Sequence, residues 1–292
     1  MKKLISLLLL VCVSSVLFAQ GDLLVQAKAL FNQGKYSASQ SILQKMYSAN
    51  AADAEAMYFN ARCSKELFLI DAVPLYEQLN AEFPYHEFKD EVAKDLAQIY
   101  YREQQYESAI AYFLMIKKLS NEELFKLAYS CFSIGVLEDA QLYFFKVMNT
   151  DSKFSSASQY YYASISYERG LYKSALENFK GLLNDAKFGV IVPYYISQIY
   201  FYQQEYQDLI AFAKPLSKDV IDSRRSEINR LLAEAYYRTD DFENAIHHFE
   251  EFIAVEKQIS SLVYFLLGHS HFESGNYEYA ISNLEQVLSA ED

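Results

Sequence analysis

The sequence predicts an all-α fold in which about eight antiparallel helical hairpins follow one another in tandem. Three observations support this prediction. The 292 residues include only eight Gly and four Pro, too few for the many tight turns of an all-β protein. Apolar residues recur at helical spacing. One pattern of turn, aromatic and small residues also returns about every 34 residues, a period typical of stacked helical units.

The N-terminal segment has the features of a secretory signal. Two lysines precede an apolar stretch from Leu4 to Phe18, and Ala19-Gln20 follows as the expected cleavage point. The stretch is short for a membrane span, and no second apolar run follows it. We therefore predict a signal peptide over residues 1–19 and an exported mature chain that is periplasmic or associated with the outer membrane. A retained N-terminal anchor is the alternative.

Charge and cysteine content restrict the partners further. Removing two of the 26 basic side chains with the signal leaves 24 against 38 acidic ones, a net charge of −14. Such a surface repels nucleic acid and anionic membranes, so neither is an expected partner, and no membrane span is expected after signal removal. Cys63 and Cys131 fall on apolar helix faces in non-adjacent repeats. They are predicted to be buried free thiols and not a disulfide.

The repeated element contains a turn residue, an aromatic residue two positions later, then a small residue and a second apolar residue. Gly170, Tyr172, Ala175 and Phe179 form one copy. Glycine suits the turn because it adopts positive φ without a steric clash. The copies divide residues 20–292 into repeats near 20–52, 53–88, 89–120, 121–155, 156–189, 190–225, 226–260 and 261–292.

Two columns of small residues run through these repeats, one in each helix of the hairpin. The first column holds Ala27, Ala97, Ala128, Ala163, Ser197, Ala233 and Gly268. The second holds Ser39, Ala72, Ala109, Ala140, Ala175, Ala245 and Ala280. Small residues allow the paired helices to approach closely, while the aromatic residues fill the space toward neighbouring hairpins. One hairpin cannot bury that face alone, so the copies are expected to stack.

These columns and the period resemble the tetratricopeptide repeat (TPR) family over essentially the whole mature chain. The resemblance implies a right-handed superhelical solenoid whose first helices line a concave face that holds a protein or peptide segment. The sixth copy departs from the family pattern, with Leu209 and Ala213 in place of Ala and an aromatic residue. Pro215 falls inside its second helix and is expected to kink or end that helix.

Carrying the family's groove positions onto this chain gives a set of aromatic first-helix residues. They are Tyr101, Phe125, Tyr129, Phe132, Tyr160, Tyr167, Tyr194, Phe201, Tyr237, Phe265 and Phe272, with Phe31 on the same stripe. Aromatic side chains anchor interfaces well because they bring a large apolar area with few rotatable bonds. The alternative is that these rings only pack neighbouring helices. Lys94, Arg102, Arg230 and Arg238 could pair with a partner's carboxylate or remain solvated.

The sequence contains no pattern that predicts catalysis. It has no Gly-rich phosphate loop, no nucleophile elbow and no zinc-type spacing of Cys or His. His247 and His248 are sequential and should point to different sides of a helix, although His248 and His271 could meet across adjacent helices. We therefore predict no catalytic residue, no metal site and no cofactor, and only a hidden site would make this chain an enzyme.

Two functions remain as hypotheses. The first is an exported scaffold or adaptor that mediates protein–protein interactions, within a cell-envelope assembly or secretion complex. The second is a module that binds glycan or peptidoglycan, since a Tyr-rich groove can stack on sugar faces. The last helix would leave an apolar edge at Ile281, Leu284, Val287 and Leu288. Further repeats or a second copy of the chain could cover this edge.

Overall fold

The computed structural model describes residues 22–48, 53–216 and 222–289, so the predicted signal peptide lies outside the described residues. Within these ranges the chain forms sixteen α-helices, one short 3₁₀ helix and no strand. The all-α prediction is therefore confirmed. Among the described helices, none has both the length and the apolar character needed to cross a membrane.

Consecutive helices pair into eight hairpins. Six of them lie inside the expected repeat ranges, while α9 begins one residue and α13 four residues before the expected start of their repeats. The helices are α1 (22–32), α2 (Tyr36–Ser48), α3 (Ala54–Glu66), α4 (Ala72–Glu82), α5 (Lys89–Arg102), α6 (Tyr106–Met115), α7 (Asn121–Ser133), α8 (Leu137–Met148), α9 (Ser155–Glu168), α10 (Tyr172–Gly181), α11 (Val192–Tyr202), α12 (Tyr206–Ala213), α13 (Asp222–Arg238), α14 (Phe242–Ile253), α15 (Ser261–Glu273) and α16 (Tyr277–Ser289). The chain divides into two compact units, one up to Tyr143 and one from Phe144 onward.

Both predicted columns of small residues are buried between the paired helices. Ala27, Ala163 and Ala175 are fully buried, and the Ser39 hydroxyl donates a hydrogen bond to the Ala27 carbonyl oxygen at 2.8 Å. This bond joins the two columns directly across the first hairpin. The second apolar position of the repeat is equally buried in seven copies, at Leu43, Tyr76, Phe113, Phe144, Phe179, Ala213 and Phe249.

Each hairpin turn contains one residue in the left-handed region of φ. These residues are Gly34, Phe68, Gln104, Gly135, Gly170, Gln204, Asp240 and Gly275. At Gly170 the backbone N–H donates to the Tyr167 carbonyl, and the next N–H, of Leu171, donates to Ser166. The same two bonds recur in all eight turns and satisfy carbonyls at the end of each first helix. The backbone therefore repeats more regularly than the sequence, which supplies glycine only four times.

Pro215 ends the second helix of the sixth hairpin, which is one of the two outcomes, a kink or an end, that the sequence predicts. Helix α12 stops at Ala213 and is followed by a 3₁₀ turn over Lys214–Leu216. Proline cannot donate the backbone hydrogen bond that would continue the helix, so α12 has only eight residues.

Cys63 and Cys131 are both buried free thiols, as predicted. Burial raises the pKa of Cys63, and it raises the pKa of Cys131 to about 11. A thiol with a raised pKa is rarely a thiolate at neutral pH, so both side chains act as small core residues.

Glycine should stabilise the turns that lack it. Gln104, Gln204 and Asp240 hold φ near 60°, where an L side chain meets steric strain. We expect Gln204→Gly to raise the free energy of unfolding by about 0.5–1 kcal/mol, because the strain relieved exceeds the added chain entropy. The matched control is Gly170→Gln, which should lower stability, since a Cβ there meets nothing within 4 Å and only the backbone conformation is penalised. Urea denaturation followed by circular dichroism measures both, and equal midpoints would contradict this account.

Candidate binding surface

The predicted aromatic residues all lie on first helices of the hairpins. In seven of the eight hairpins an aromatic residue comes three positions before the left-handed turn residue, and its carbonyl accepts the N–H of that residue, as at Tyr101 and Tyr237. The second hairpin has Lys65 at this position. Nine of the eleven residues are half-buried, while Phe265 and Phe272 are 45% and 54% exposed. We call these eleven residues the aromatic face. Phe31, predicted on the same stripe, is buried in the core.

In the first unit Tyr129 is the centre of the aromatic face. Its ring centre lies 6.2 Å from that of Tyr101 and 6.4 Å from those of Phe125 and Phe132. Tyr106, at the start of α6, completes this cluster at 6.1 Å from Tyr129. The rings meet at several angles, so they form a packed cluster with one side toward solvent and not a single stack.

In the second unit, aromatic residues of α9 and α11 contact one another and the rings of Phe179 and Phe188. Tyr160 stacks on Phe188 at 4.7 Å, and its hydroxyl lies 3.4 Å from the Tyr195 hydroxyl. Tyr195 in turn stacks on the buried Phe179 at 5.0 Å and meets the edge of Tyr167 at 5.7 Å. The half-buried rings are therefore anchored on core rings beneath them.

A hydrogen-bonded chain crosses the same surface. The Tyr167 hydroxyl donates to Gln198 Oε1 at 2.9 Å, and Gln198 Nε2 donates to the Tyr194 hydroxyl at 2.7 Å. Burial raises the pKa of Tyr160, Tyr167 and Tyr194, and the nearby Glu227 raises that of Tyr194 further. These phenols are therefore neutral at physiological pH and offer hydrogen bonds without charge.

Four residues of this surface were not predicted from the sequence. They are Tyr195, Gln198, Tyr202 and Arg224. Tyr202 stacks on Tyr172 at 6.0 Å, and the Arg224 guanidinium lies 4.4 Å from the centre of the Tyr194 ring. Tyr195, Gln198 and Tyr202 lie on α11 but outside the two aromatic rows of the repeat. The density of tyrosine on α9 and α11 was therefore the sequence signal that could have indicated this surface.

Of the four basic residues proposed for binding a carboxylate, Lys94 and Arg230 are ion-paired within the chain, and the Arg102 guanidinium lies 4.8 Å from the centre of the Phe68 ring. Lys94 pairs with Asp90 at 3.2 Å. The Arg230 guanidinium binds Glu227, with Nε 3.0 Å from Oε2, and also binds Glu234. Burial raises the pKa of Glu234 even though Arg230 acts in the opposite direction. A ligand carboxylate at Arg230 would therefore compete with two carboxylates already in place.

The histidines form separate local contacts. His248 Nδ1 donates to Asn229 Oδ1 at 3.1 Å, and the His248 ring stacks on Tyr236 at 5.5 Å. His271 instead stacks on Tyr279. His248 and His271, which could have met across adjacent helices, therefore have different neighbours.

Three potential metal-ligating atoms, from His247, His248 and Glu251, lie within 4.8 Å of one another. The sequence predicted that His247 and His248 would point to different sides. One is indeed exposed and the other buried, but their ring centres are only 5.0 Å apart. The hydrogen bond and ring stacking of His248 are sufficient to explain its position.

The buried His248 should make the protein less stable in mild acid. Burial lowers its pKa from 6.5 to about 4, with His247 and Lys214 acting in the same direction and Glu251 opposing them. Below pH 6.5 the unfolded chain takes up a proton that the folded chain refuses until about pH 4. The free energy of unfolding should thus fall by up to about 1.4 kcal/mol per pH unit across this window.

His248→Gln should remove this contribution, while the same change at the exposed neighbour His247 should keep it. Urea unfolding at several pH values measures each slope, and the comparison cancels the carboxylates that all variants share. A His248→Gln slope equal to that of the unsubstituted protein would contradict the assignment.

Comparison with known proteins agrees with this architecture. Residues 230–291 match a family model described as "Tetratricopeptide repeat". No curated protein sequence matches the chain. The C-terminal part of a TPR repeat-containing protein from Cytophaga hutchinsonii is 16% identical, with a TM-score of 0.54 over 82% of this chain and 98% of that one.

Two further solved structures are similar. MamA from AMB-1 is 16% identical, with a TM-score of 0.51 over 59% of this chain and 91% of that one. A signal transduction ATPase from Pyrococcus horikoshii with a tetratricopeptide repeat sensor is 15% identical, with a TM-score of 0.52. That match covers 86% of this chain and 43% of the ATPase. At these identities the similarity shows the fold alone.

Proposed function

We propose that this chain, a tetratricopeptide-repeat protein, is a scaffold that holds a segment of another protein against its aromatic face. The observation that carries the proposal is a row of half-buried and exposed rings repeated at one position of successive first helices. Rings anchored on a core offer a large contact area and lose little conformational freedom on binding. A scaffold role needs no catalytic group.

Binding of glycan or peptidoglycan is the second candidate, and two exposed aromatic rings favour it. Tyr202 and Phe272 are each 54% exposed, so each offers ring surface on which a sugar could stack. Most other tyrosines of the second unit use their ring faces or edges against neighbouring rings, as Tyr160 and Tyr195 do. Fewer ring faces are therefore available for sugars than the tyrosine count indicates, which ranks this candidate second.

We further propose that the protein acts outside the cytoplasm, in the periplasm or at the outer membrane, within an assembly or secretion complex of the envelope. The basic N-terminus, the apolar stretch and the Ala19-Gln20 junction support export.

The outer surface of α16 supports a second contact. Leu284 and Val287 are half-buried and Ile281 is 59% exposed. The residues of the previous hairpin that correspond to Leu284 and Val287 are Phe249 and Phe252, and both are buried. A second copy of the chain would cover this edge.

Substitutions on the aromatic face should weaken partner capture. We expect Tyr167→Ala combined with Tyr194→Ala to weaken binding at least about tenfold, because two anchors and their hydrogen bonds to Gln198 are lost. The control is Phe145→Ala, which removes a 49% exposed ring from the second helix α8. Pulldown from envelope extract with mass spectrometry is the measurement, with isolated cell-wall material in a parallel arm. Equal capture by both variants would contradict the proposal, and retention on cell wall alone would favour the glycan candidate.

Protein purified from the cell envelope should begin at Gln20 and exceed the mass of one chain. Intact mass spectrometry identifies the first residue, and native mass spectrometry gives the assembly state. Ile281→Glu should return the assembly to single chains, because it places a charge in the apolar contact. A chain that keeps its first residues would contradict cleavage after Ala19, and a single-chain mass before substitution would contradict the second-copy contact.

A further inference from the structure

The first helices of the fifth and sixth hairpins are almost free of charge. Helix α9 has 14 residues and α11 has 11, and together they contain one charged side chain, Glu168 at the end of α9. The next first helix, α13, contains seven charged residues among its 17. Helix α15 also contains a single carboxylate, Glu273, but α9 and α11 are consecutive first helices. Solvent-facing helix surfaces usually carry charge, so its loss on two consecutive first helices marks a distinct surface.

This surface is nevertheless polar. We define the tyrosine patch as Tyr160, Tyr167, Tyr194, Tyr195 and Gln198, which are all half-buried. Their hydrogen bonds join hydroxyl to hydroxyl and hydroxyl to amide, as in the chain from Tyr167 through Gln198 to Tyr194. The Tyr194 hydroxyl accepts the Gln198 bond and can still donate its own proton, and the Gln198 amide has a second N–H. The patch thus carries both donors and acceptors.

Two basic and two acidic side chains of the neighbouring helix α13 compensate one another. On α13, Arg230 is bound by Glu227 and Glu234, while the Arg224 guanidinium lies over the Tyr194 ring. These two arginines and two glutamates sum to zero. A charged partner side chain beside Tyr194 would lose hydration and would meet a like charge, that of Arg224 or that of Glu227, which disfavours it.

Building on the proposed scaffold function, we propose that the tyrosine patch binds an extended, uncharged polar segment of a partner protein. An extended segment presents backbone N–H and C=O groups that the hydroxyls and the Gln198 amide can satisfy, whereas a helix uses those groups internally. Because no ion pair contributes, the affinity should be nearly independent of salt. The recognition signal is the absence of charge combined with regularly spaced hydrogen-bonding groups.

A random peptide library displayed on phage tests this inference against the immobilised mature protein. We expect the selected peptides to lack Asp, Glu, Lys and Arg across their shared core. The dissociation constant of a selected peptide, measured by fluorescence anisotropy, should change less than about twofold between roughly 0.05 and 0.5 M salt. Selection of peptides with conserved charged residues, or a steep salt dependence, would overturn the inference and leave the scaffold function standing.

A matched pair of substitutions locates the site. Gln198→Glu places a charge in the centre of the patch and should weaken binding of the selected peptide at least about tenfold. Gln203→Glu makes the same change at an exposed position just after α11 and should leave affinity unchanged. Equal effects at both positions would overturn the assignment to the patch. Binding of a neutral oligosaccharide, with no peptide selected at all, would overturn both this inference and the scaffold function.

Discussion

The close approach of the two helices in each hairpin is the constraint on which the rest of the structure depends. It requires small residues at two fixed positions, such as Ala163 and Ala175, which are fully buried. At Gly268 the approach is so tight that a Cβ would lie 2.9 Å from Leu284 Cγ. Large side chains cannot occupy the helix–helix seam, so they lie to either side of it. On the second helix they supply buried core rings such as Phe179, and on the first helix they supply both core residues such as Ile165 and the aromatic face.

The features that follow from this seam could be predicted from the sequence, because they repeat with it. The small columns, the glycine turns and the buried thiols all depend on position within one repeat. Phe68 shows the limit, since nothing in a phenylalanine indicates the positive φ that the hairpin imposes on it. The backbone geometry there is set by the paired helices, and the residue accommodates it at an energetic cost.

The candidate site also combines features that could be predicted from the sequence with features that could not. The rows of first-helix aromatics follow the repeat, so their location on those helices could be predicted, although their role in binding stays a prediction. The contacts of Tyr195 with Tyr160, Tyr167 and Phe179 could not, because they join side chains from different helices. The pairing of Arg230 with Glu227 and Glu234 is a middle case. Its spacing of three and four residues on one helix was visible in the sequence and weakens any carboxylate-binding role.

Packing and binding are not competing explanations for the aromatic face. A ring that only packs would be buried, as Phe31 and Phe179 are, and a ring that only binds would be exposed and conformationally free. The four tyrosines of the tyrosine patch are half-buried, Tyr195 rests on the core ring of Phe179, and their hydroxyls bond to one another or to Gln198. Holding the rings in place before a partner arrives reduces the entropy lost on binding. The contacts that stabilise neighbouring helices therefore also preorganise the surface, so substitutions there should affect stability and affinity together.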